Sequence, residues 1–214
     1  MNNARLYQIK SDAVKLRRHL GRSFEYFRKY YFPLYHFIPD APFHRDIGEL
    51  LVEASKKRGV RIALAAPRNS AKSTIVTLEF AIYCICYHLE DFIVIISNTN
   101  DQAESFLSNI KLELENNPRL REDFPDVCEI GVKPKPPRWR QDDIITKNGI
   151  EVLALGYNQQ IRSRKFKQLR PRLIILDDLE AGNVIQSADN YRKLYDYFTK
   201  SVLKAGSSIT NIVF

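Results

Sequence analysis

Long hydrophobic runs, cysteine patterns and internal repeats are all missing from this chain of 214 residues. The most apolar stretch, residues 75–89, is interrupted by Glu79 and His88 and is too short to span a bilayer. No signal peptide opens the sequence, and its three cysteines form neither a metal-binding pattern nor an even set for disulfides. We therefore expect a cytoplasmic protein with no membrane partner and no disulfide framework.

Acidic residues are also in short supply, because 33 lysines and arginines outnumber 25 aspartates and glutamates and give a net charge of +8. The excess is uneven along the chain. Residues 132–172 carry eleven basic and three acidic side chains, whereas residues 101–130 carry eight acidic and three basic ones. A basic zone favours a polyanionic partner such as nucleic acid, although an ordinary basic surface explains the same numbers.

The hydrophobic pattern predicts an α/β fold with a mainly parallel central sheet flanked by helices. Two apolar runs rich in β-branched residues, at 92–96 and 172–176, are typical of strands covered on both faces. Helical segments alternate with these runs, and an Asn-Gly pair between two further apolar runs indicates a hairpin. We divide the chain into an N-terminal helical or lid segment, 1–42, and a core, 43–214.

The segment 24–32, FEYFRKYYF, combines aromatic and basic side chains, which is a composition that can stack on nucleic-acid bases. A helix that packs its rings on the protein core has the same composition, and we favour this second interpretation. Three prolines, Pro33, Pro39 and Pro42, separate the segment from the rest of the chain.

The stretch Arg61–Thr74, RIALAAPRNSAKST, has the spacing of a phosphate-binding P-loop, G-x-x-x-x-G-K-[ST], but lacks both glycines. Alanine replaces each of them, and alanine enters the left-handed backbone region far less readily. Such a loop wraps phosphate with backbone N–H groups, while Lys72 would reach the β- and γ-phosphates and Ser73 would bind Mg²⁺. The predicted nucleotide-binding residues are Pro67, Arg68, Asn69, Ser70, Ala71, Lys72, Ser73 and Thr74. The alternative is a chance lysine at a strand–helix turn.

A second motif, LIILDDLE at residues 173–180, places carboxylates at the end of a buried strand. Parallel strands end at one edge of a sheet, and open α/β sheets bind ligands at that edge. We expect this strand to be the neighbour of the strand before the P-loop, so that Ser73 and Asp177 meet at one Mg²⁺. Taken alone, the motif is also consistent with an ordinary acidic turn. Together, the two motifs favour nucleotide binding.

ATP hydrolysis requires a group that orients water and a cation that stabilises charge on the γ-phosphate. Asp178 and Glu180 are the candidates for the first role, and Glu180 has the longer reach. Arg68, inside the P-loop, and Arg162, in the basic stretch before the second motif, are the candidates for the second role. Arg162 has an alternative role as a contact to a DNA backbone.

Three stretches of the chain resemble the ATPase domain of the large terminase subunit, the DNA-packaging motor of tailed bacteriophages. They are APRNSAKST, IVIISNTNDQAESFLSNIKLELENNPRL and GYNQQIRSRKFKQLRPRLIILDDLE, and they lie between residues 66 and 180 of the core. The resemblance implies a P-loop NTPase fold of the ASCE, RecA-like type. It also implies that Arg162 acts on ATP bound to a neighbouring subunit. His44, where the family usually has glutamine, would lie near the adenine.

The same resemblance implies ATP and Mg²⁺ as cofactors and double-stranded DNA as the partner that is moved. It further implies a homo-oligomeric ring, with a small terminase subunit and a portal, in the cytoplasm of a bacterial host. A large terminase subunit continues into a nuclease domain, so we interpret a sequence that stops at Phe214 as a truncated ATPase portion without a nuclease site. Two other interpretations remain open: a helicase-like nucleic-acid motor ATPase, and a non-hydrolysing fragment that docks on DNA or protein.

Overall fold

A computed structural model describes residues 3–67, 69–128, 138–157, 159–161, 165–179 and 187–214. In this part of the chain, helices cover both faces of a seven-stranded sheet. The α-helices are α1 (Asn3–Leu20), α2 (Phe24–Tyr31), α3 (Pro42–Lys57), α4 (Ala81–Cys86), α5 (Asn100–Asn116), α6 (Pro118–Asp123), α7 (Pro125–Cys128), α8 (Ala188–Tyr197) and α9 (Leu203–Ala205). The strands are β1 (Arg61–Ile62), β2 (Phe92–Ser97), β3 (Arg138–Trp139), β4 (Asp143–Ile145), β5 (Glu151–Gly156), β6 (Leu173–Asp177) and β7 (Asn211–Val213). A 3₁₀ turn (Pro33–Tyr35) and two π-helical segments (Thr74–Phe80 and Phe198–Val202) complete the elements.

The sheet has the strand order β1-β7-β6-β2-β5-β4-β3, and its first five strands run parallel. The last two strands each run antiparallel to their neighbour: β4 pairs with β5, in the predicted hairpin, and β3 pairs with β4. The expectation of a mainly parallel sheet is therefore confirmed. The expectation that β1 and β6 are neighbours is wrong, because β7 lies between them and pairs with both.

The central strands end in register at one edge of the sheet. Ser97, the last residue of β2, lies opposite Gly156 of β5 on one side and opposite Asp177 of β6 on the other. All residues of β2, β5 and β6 are buried, as expected for strands covered on both faces. The apolar run at residues 61–66 predicts a strand before the P-loop-like stretch, but only Arg61–Ile62 pairs as a strand.

The aromatic segment that precedes the core packs against it. Phe27 and Tyr31 of α2 are fully buried, and the Phe27 ring lies 5.1 Å from the ring of Tyr83 on α4. The Tyr31 hydroxyl also donates a hydrogen bond to the buried carboxylate of Asp123. These contacts confirm the interpretation of residues 24–32 as a helix that packs its rings on the core.

The nearly continuous apolar pattern of residues 72–89 predicts one buried α-helix after the P-loop-like stretch, and the structure differs from this prediction. The first part of the helix, Thr74–Phe80, is π-helical, and the α-helical part ends at Cys86. Residues 75–86 are buried without exception, as their apolar composition predicts. Across the described ranges, no helix is long and apolar enough to cross a membrane.

One buried carboxyl group makes the stability of the fold depend on pH. Burial, followed by the negative charge of Asp143, raises the pKa of Glu151 from 4.5 to about 7. The folded protein therefore keeps a proton that the unfolded chain has lost, so this group lowers stability as pH rises from about 5 to about 7. We expect Glu151→Gln to remove roughly 2 kcal/mol of that fall.

Urea denaturation of the wild type and of Glu151→Gln between pH 5 and pH 8 measures this effect. The exposed carboxylate of Glu49 offers a matched control, since Glu49→Gln removes the same group from the surface. Equal pH slopes for wild type and Glu151→Gln would show that Glu151 does not hold the extra proton.

Candidate functional site

We call residues 69–74 the Lys72 loop; its last three residues already form the first turn of the helix, whose π-helical segment begins at Thr74. Asn69 and Ala71 both have left-handed backbone conformations, with φ angles of +62° and +58°. Asparagine enters this region readily, whereas an alanine there costs about 1–2 kcal/mol. Such strain persists where surrounding contacts enforce it and concentrates at ligand-binding turns. Ala71 thus has a backbone conformation that glycine would adopt with less strain energy.

Lys72 and Ser73 lie in the first turn of the helix, at the end of the Lys72 loop. Among the described residues, the Lys72 ammonium has no hydrogen-bond or ion-pair partner, and its side chain is half-buried. The Ser73 hydroxyl donates to Oδ1 of Asp177, 3.1 Å away. The first N–H groups of a helix have no partner within the helix, so this end of the helix favours an anion. A cation and a helix start therefore face the same space.

The Asp177 carboxylate is held at the end of β6 by two hydroxyl groups from one helix. Besides Ser73, Thr77 donates from its Oγ1 to Oδ2 of Asp177 at 2.5 Å, and Thr77 is fully buried. Only 3 % of Asp177 is exposed, so the carboxylate has little freedom to turn away. Each of its oxygens has one fixed donor, which sets its orientation toward the cleft.

The next residue, Asp178, has a left-handed backbone with φ of +54° and an exposed side chain. Its Oδ2 accepts a hydrogen bond from Nε2 of Gln102, at a distance of 3.0 Å. Gln102 lies in the first turn of α5, whose start follows the end of β2. Two neighbouring strands therefore deliver polar groups to the same edge of the sheet.

These groups line one open cleft of about 610 Å³ at the carboxyl edge of the sheet. Its walls are formed by Ala66, Pro67, Asn69, Ser70, Ala71, Lys72, Ser73, Thr74, Gln102, Phe106, Asp177 and Asp178. Two buried hydroxyl oxygens in this region, those of Ser70 and Ser97, have no hydrogen-bond partner within the described residues. Buried polar groups without partners are uncommon in folded proteins and call for one, such as water or a ligand.

The oxygen donors in the cleft fit Mg²⁺ that arrives with a nucleotide. Mg²⁺ is usually held by one or two carboxylates together with water and substrate phosphates. Ser73 and Asp177 supply a hydroxyl and a carboxylate oxygen 3.1 Å apart. In the ranges that the structure describes, no group of three or more His, Cys, Asp or Glu side chains could hold a metal ion. The donor set therefore suits a metal that brings its own phosphate ligands.

Most of the predicted site residues come together in this cleft. The predicted residues that line it are Pro67, Asn69, Ser70, Ala71, Lys72, Ser73, Thr74, Asp177 and Asp178. Their convergence does not require β1 and β6 to be adjacent, because the Lys72 loop reaches past the end of β7. Arg68, Arg162 and Glu180 lie outside the described residues. His44 is not part of the cleft wall; its Nε2 lies 3.0 Å from the backbone oxygen of Ser70.

Sequence reasoning missed Thr77 and Gln102. Thr77 lies four residues after Ser73, a spacing that places two side chains on one face of a helix, so the signal was present in the sequence. Gln102 had a weaker signal, since it only follows a buried strand by a few residues at the start of a helix. Its contact with Asp178 depends on the pairing of β2 with β6.

Fold and site together define a mixed α/β protein with a seven-stranded sheet and a polar cleft at its carboxyl edge. Among solved structures, this fold is similar to that of the HK97 bacteriophage large terminase, with a TM-score of 0.57 and 18% sequence identity. The similarity covers 90% of this chain but only 37% of the terminase chain. No protein-family profile matches the sequence, and no curated protein matches it.

Proposed function

We propose that this chain is a Mg²⁺-dependent ATPase with a P-loop NTPase fold of the ASCE, RecA-like type, and that it powers the packaging of double-stranded viral DNA. The observation that carries the proposal is the meeting of Ser73 and Asp177 beside Lys72, whose ammonium has no partner among the described residues. A lysine for the phosphates, and a hydroxyl and a carboxylate for Mg²⁺, are the set that this class of enzyme uses to hold a nucleotide and its metal.

In this proposal the chain binds the triphosphate through the Lys72 loop. Backbone N–H groups at the start of the helix face the phosphates, and Lys72 compensates their negative charge. Ser73 and Asp177 would hold Mg²⁺, which supplies charge stabilisation to the transferred phosphoryl group when it is bound. The hydrogen bond that Thr77 donates to Oδ2 of Asp177 fixes the orientation of this carboxylate at the cleft.

Hydrolysis also needs an oriented water molecule and a second cation. Asp178 lies at the mouth of the cleft and is held by Gln102, which supports it as a group that accepts a hydrogen bond from water. Glu180 remains the other candidate for this role, and Arg68 and Arg162 remain the proposed cations. We propose that Arg162 acts from a neighbouring subunit, as the terminase resemblance implies.

The similarity in fold to a phage large terminase supports a role in DNA packaging in the cytoplasm of a bacterial host. The net charge of +8 favours a polyanionic partner, which is consistent with double-stranded DNA. We further propose that the working form is a homo-oligomeric ring that meets a small terminase subunit and a portal. These partners belong to the whole packaging machine, of which this chain would form the ATPase part.

Steady-state ATP turnover, measured with Mg²⁺ and with increasing protein concentration, tests two proposals. These are the ATPase activity itself and the action of Arg162 from a neighbouring subunit. We expect turnover per subunit to rise with concentration, because the active site would be completed by a neighbour. Lys72→Ala and Arg162→Ala should each lose nearly all of the turnover when assayed alone. Their mixture should regain activity, since one variant contributes an intact Lys72 loop and the other an intact Arg162.

Two outcomes would contradict parts of this proposal. A folded wild type that neither binds nor hydrolyses Mg–ATP, with or without double-stranded DNA, would leave only a docking role. Turnover per subunit that is independent of concentration, with no activity regained on mixing, would place the second cation within the same subunit. A helicase-like motor would instead hydrolyse ATP in response to single-stranded nucleic acid in preference to duplex DNA.

A further inference from the structure

A buried polar cluster joins the N-terminal segment to the helix that follows the Lys72 loop. Glu79, in the π-helical part of that helix, is fully buried, and its Oε2 accepts from Nε of Arg28 at 2.6 Å. Its other oxygen lies 2.7 Å from Nε2 of His36. Buried charges are costly unless they are paired and hydrogen-bonded, so Glu79 depends on these two partners.

Asp40 connects this cluster to His44. Its Oδ2 lies 3.4 Å from Nη1 of Arg28, and its Oδ1 lies 3.4 Å from Nδ1 of His36. The same Oδ1 lies 3.3 Å from Nδ1 of His44. The side chain of Asp40 is only 16% exposed, and that of His44 is only 14% exposed. The hydrogen bond to Nδ1 of His44 comes from the backbone N–H of Ala41, at 3.1 Å, so this contact fixes the orientation of the ring. Since Nδ1 accepts there, Nε2 is the ring nitrogen that carries the proton.

His44 in turn contacts the backbone of the Lys72 loop, with its Nε2 lying 3.0 Å from the carbonyl oxygen of Ser70. A carbonyl oxygen only accepts, so this nitrogen must be the donor whatever the state of the other ring nitrogen. Ser70 lies between Asn69 and Ala71, the two left-handed residues of the loop. The contact thus holds the strained turn at its centre.

The orientation of one peptide group follows from this contact. In a trans peptide the carbonyl and the N–H of the next residue point in opposite directions. When the Ser70 carbonyl points at His44, the N–H of Ala71 points away from His44. Ser70 and Ala71 line the cleft, whereas His44 does not. The N–H of Ala71 is therefore available on the side where a phosphate would lie.

We propose that His44, held by the backbone N–H of Ala41, is a positioning residue of the nucleotide site, which fixes the Ser70–Ala71 peptide so that the Ala71 N–H faces a phosphate oxygen. This inference rests on the proposed function. It gives His44 a role different from the adenine contact expected from the family resemblance. It also makes the N-terminal segment a part of the phosphate site, through Ala41, in addition to its packing role.

Two substitutions at His44 test the proposal. His44→Phe keeps an aromatic ring but has no donor, whereas the amide of His44→Gln can still donate to the Ser70 carbonyl. We expect His44→Phe to weaken the binding of a fluorescent ATP analogue, with Mg²⁺ present, roughly tenfold, and His44→Gln to stay within about threefold of wild type. Both variants should melt within a few degrees of the nucleotide-free wild type.

Hydrogen exchange in the nucleotide-free protein supplies a second readout that does not require binding. His44→Phe should speed exchange in peptides that cover residues 69–73 and leave β2 unchanged, and His44→Gln should restore slow exchange. Unaltered affinity and exchange in His44→Phe would overturn the proposal. So would equal losses in both variants accompanied by a lower melting temperature, because that pattern indicates a purely structural role. If the wild type binds no ATP analogue, the proposed function fails, while the exchange comparison still decides the role of His44.

Discussion

Lys72→Ala is expected to reduce Mg²⁺-dependent ATP hydrolysis by roughly 100- to 1,000-fold, the usual loss when one preorganised charged or hydrogen-bonding group is removed from a site of this kind. Lys72 has no anionic partner among the described residues and lines the cleft beside Ser73 and Asp177. Its ammonium is therefore free to compensate the charge of a phosphate. Without it, the negative phosphates would face the Asp177 and Asp178 carboxylates with only backbone N–H groups to offset the repulsion.

The fold should not depend on this lysine. No hydrogen bond or ion pair links Lys72 to another described residue, so we expect the melting temperature of Lys72→Ala to match that of the wild type. Lys193→Ala removes the same charge from the exposed face of α8 and should keep full activity. Turnover and ATP affinity should be measured side by side for the three proteins. Full hydrolysis by Lys72→Ala would mean that phosphate is bound elsewhere.

The second large effect is expected for Asp177→Asn, which should abolish the dependence of ATP binding on Mg²⁺ and lower turnover roughly a hundredfold or more. A metal ion in a phosphoryl-transfer site contributes several kcal/mol of charge stabilisation, and each 1.36 kcal/mol corresponds to a factor of ten. The amide of asparagine has the size of the carboxylate but no charge. Asp177 is nearly fully buried, so no other group can easily move into its place.

Thr77 provides a graded comparison for this effect. Thr77→Val removes the donor to Oδ2 of Asp177 while keeping the shape of the side chain, and loss of such a supporting contact typically costs about 10- to 100-fold. Thr77→Ser retains a hydroxyl and should behave nearly as the wild type. The apparent Mg²⁺ affinity in an ATP-binding titration should be highest for the wild type and should decrease in the order Thr77→Ser, Thr77→Val, Asp177→Asn. Equal Mg²⁺ dependence in all four proteins would exclude Asp177 as a metal ligand.

Much of the fold could be predicted because burial leaves a direct record in the sequence. The unbroken apolar runs of β2 and β6 correspond to strands that are buried on both faces. The aromatic positions of α2 likewise correspond to a packed helix, and the Asn-Gly pair to the turn between β4 and β5. The spacing from Ala66 to Ser73 and the carboxylates after β6 located most of the cleft wall. Each of these signals lies within a single helix, strand or turn.

The strand order could not be predicted in the same way. Nothing in the local pattern of β7 shows that it inserts between β1 and β6, because any buried strand has the same composition. The π-helical start of the helix after the Lys72 loop is equally hidden, since its residues are compatible with an α-helix. The expected neighbours were therefore wrong, although the loop still brings Ser73 to Asp177.

The sequence by itself determined which segments are buried, where the central strands β2 and β6 lie, and which residues could bind phosphate and metal. Only the tertiary structure decided that Thr77 orients Asp177, that Gln102 contacts Asp178, and that His44 contacts the Ser70 backbone instead of lining the cleft. The physical reason is the range of the interactions. Backbone preference and burial act over a few residues, whereas the bond from Thr77 to Asp177 joins groups 100 residues apart. Such a contact exists only once the sheet has placed its elements side by side.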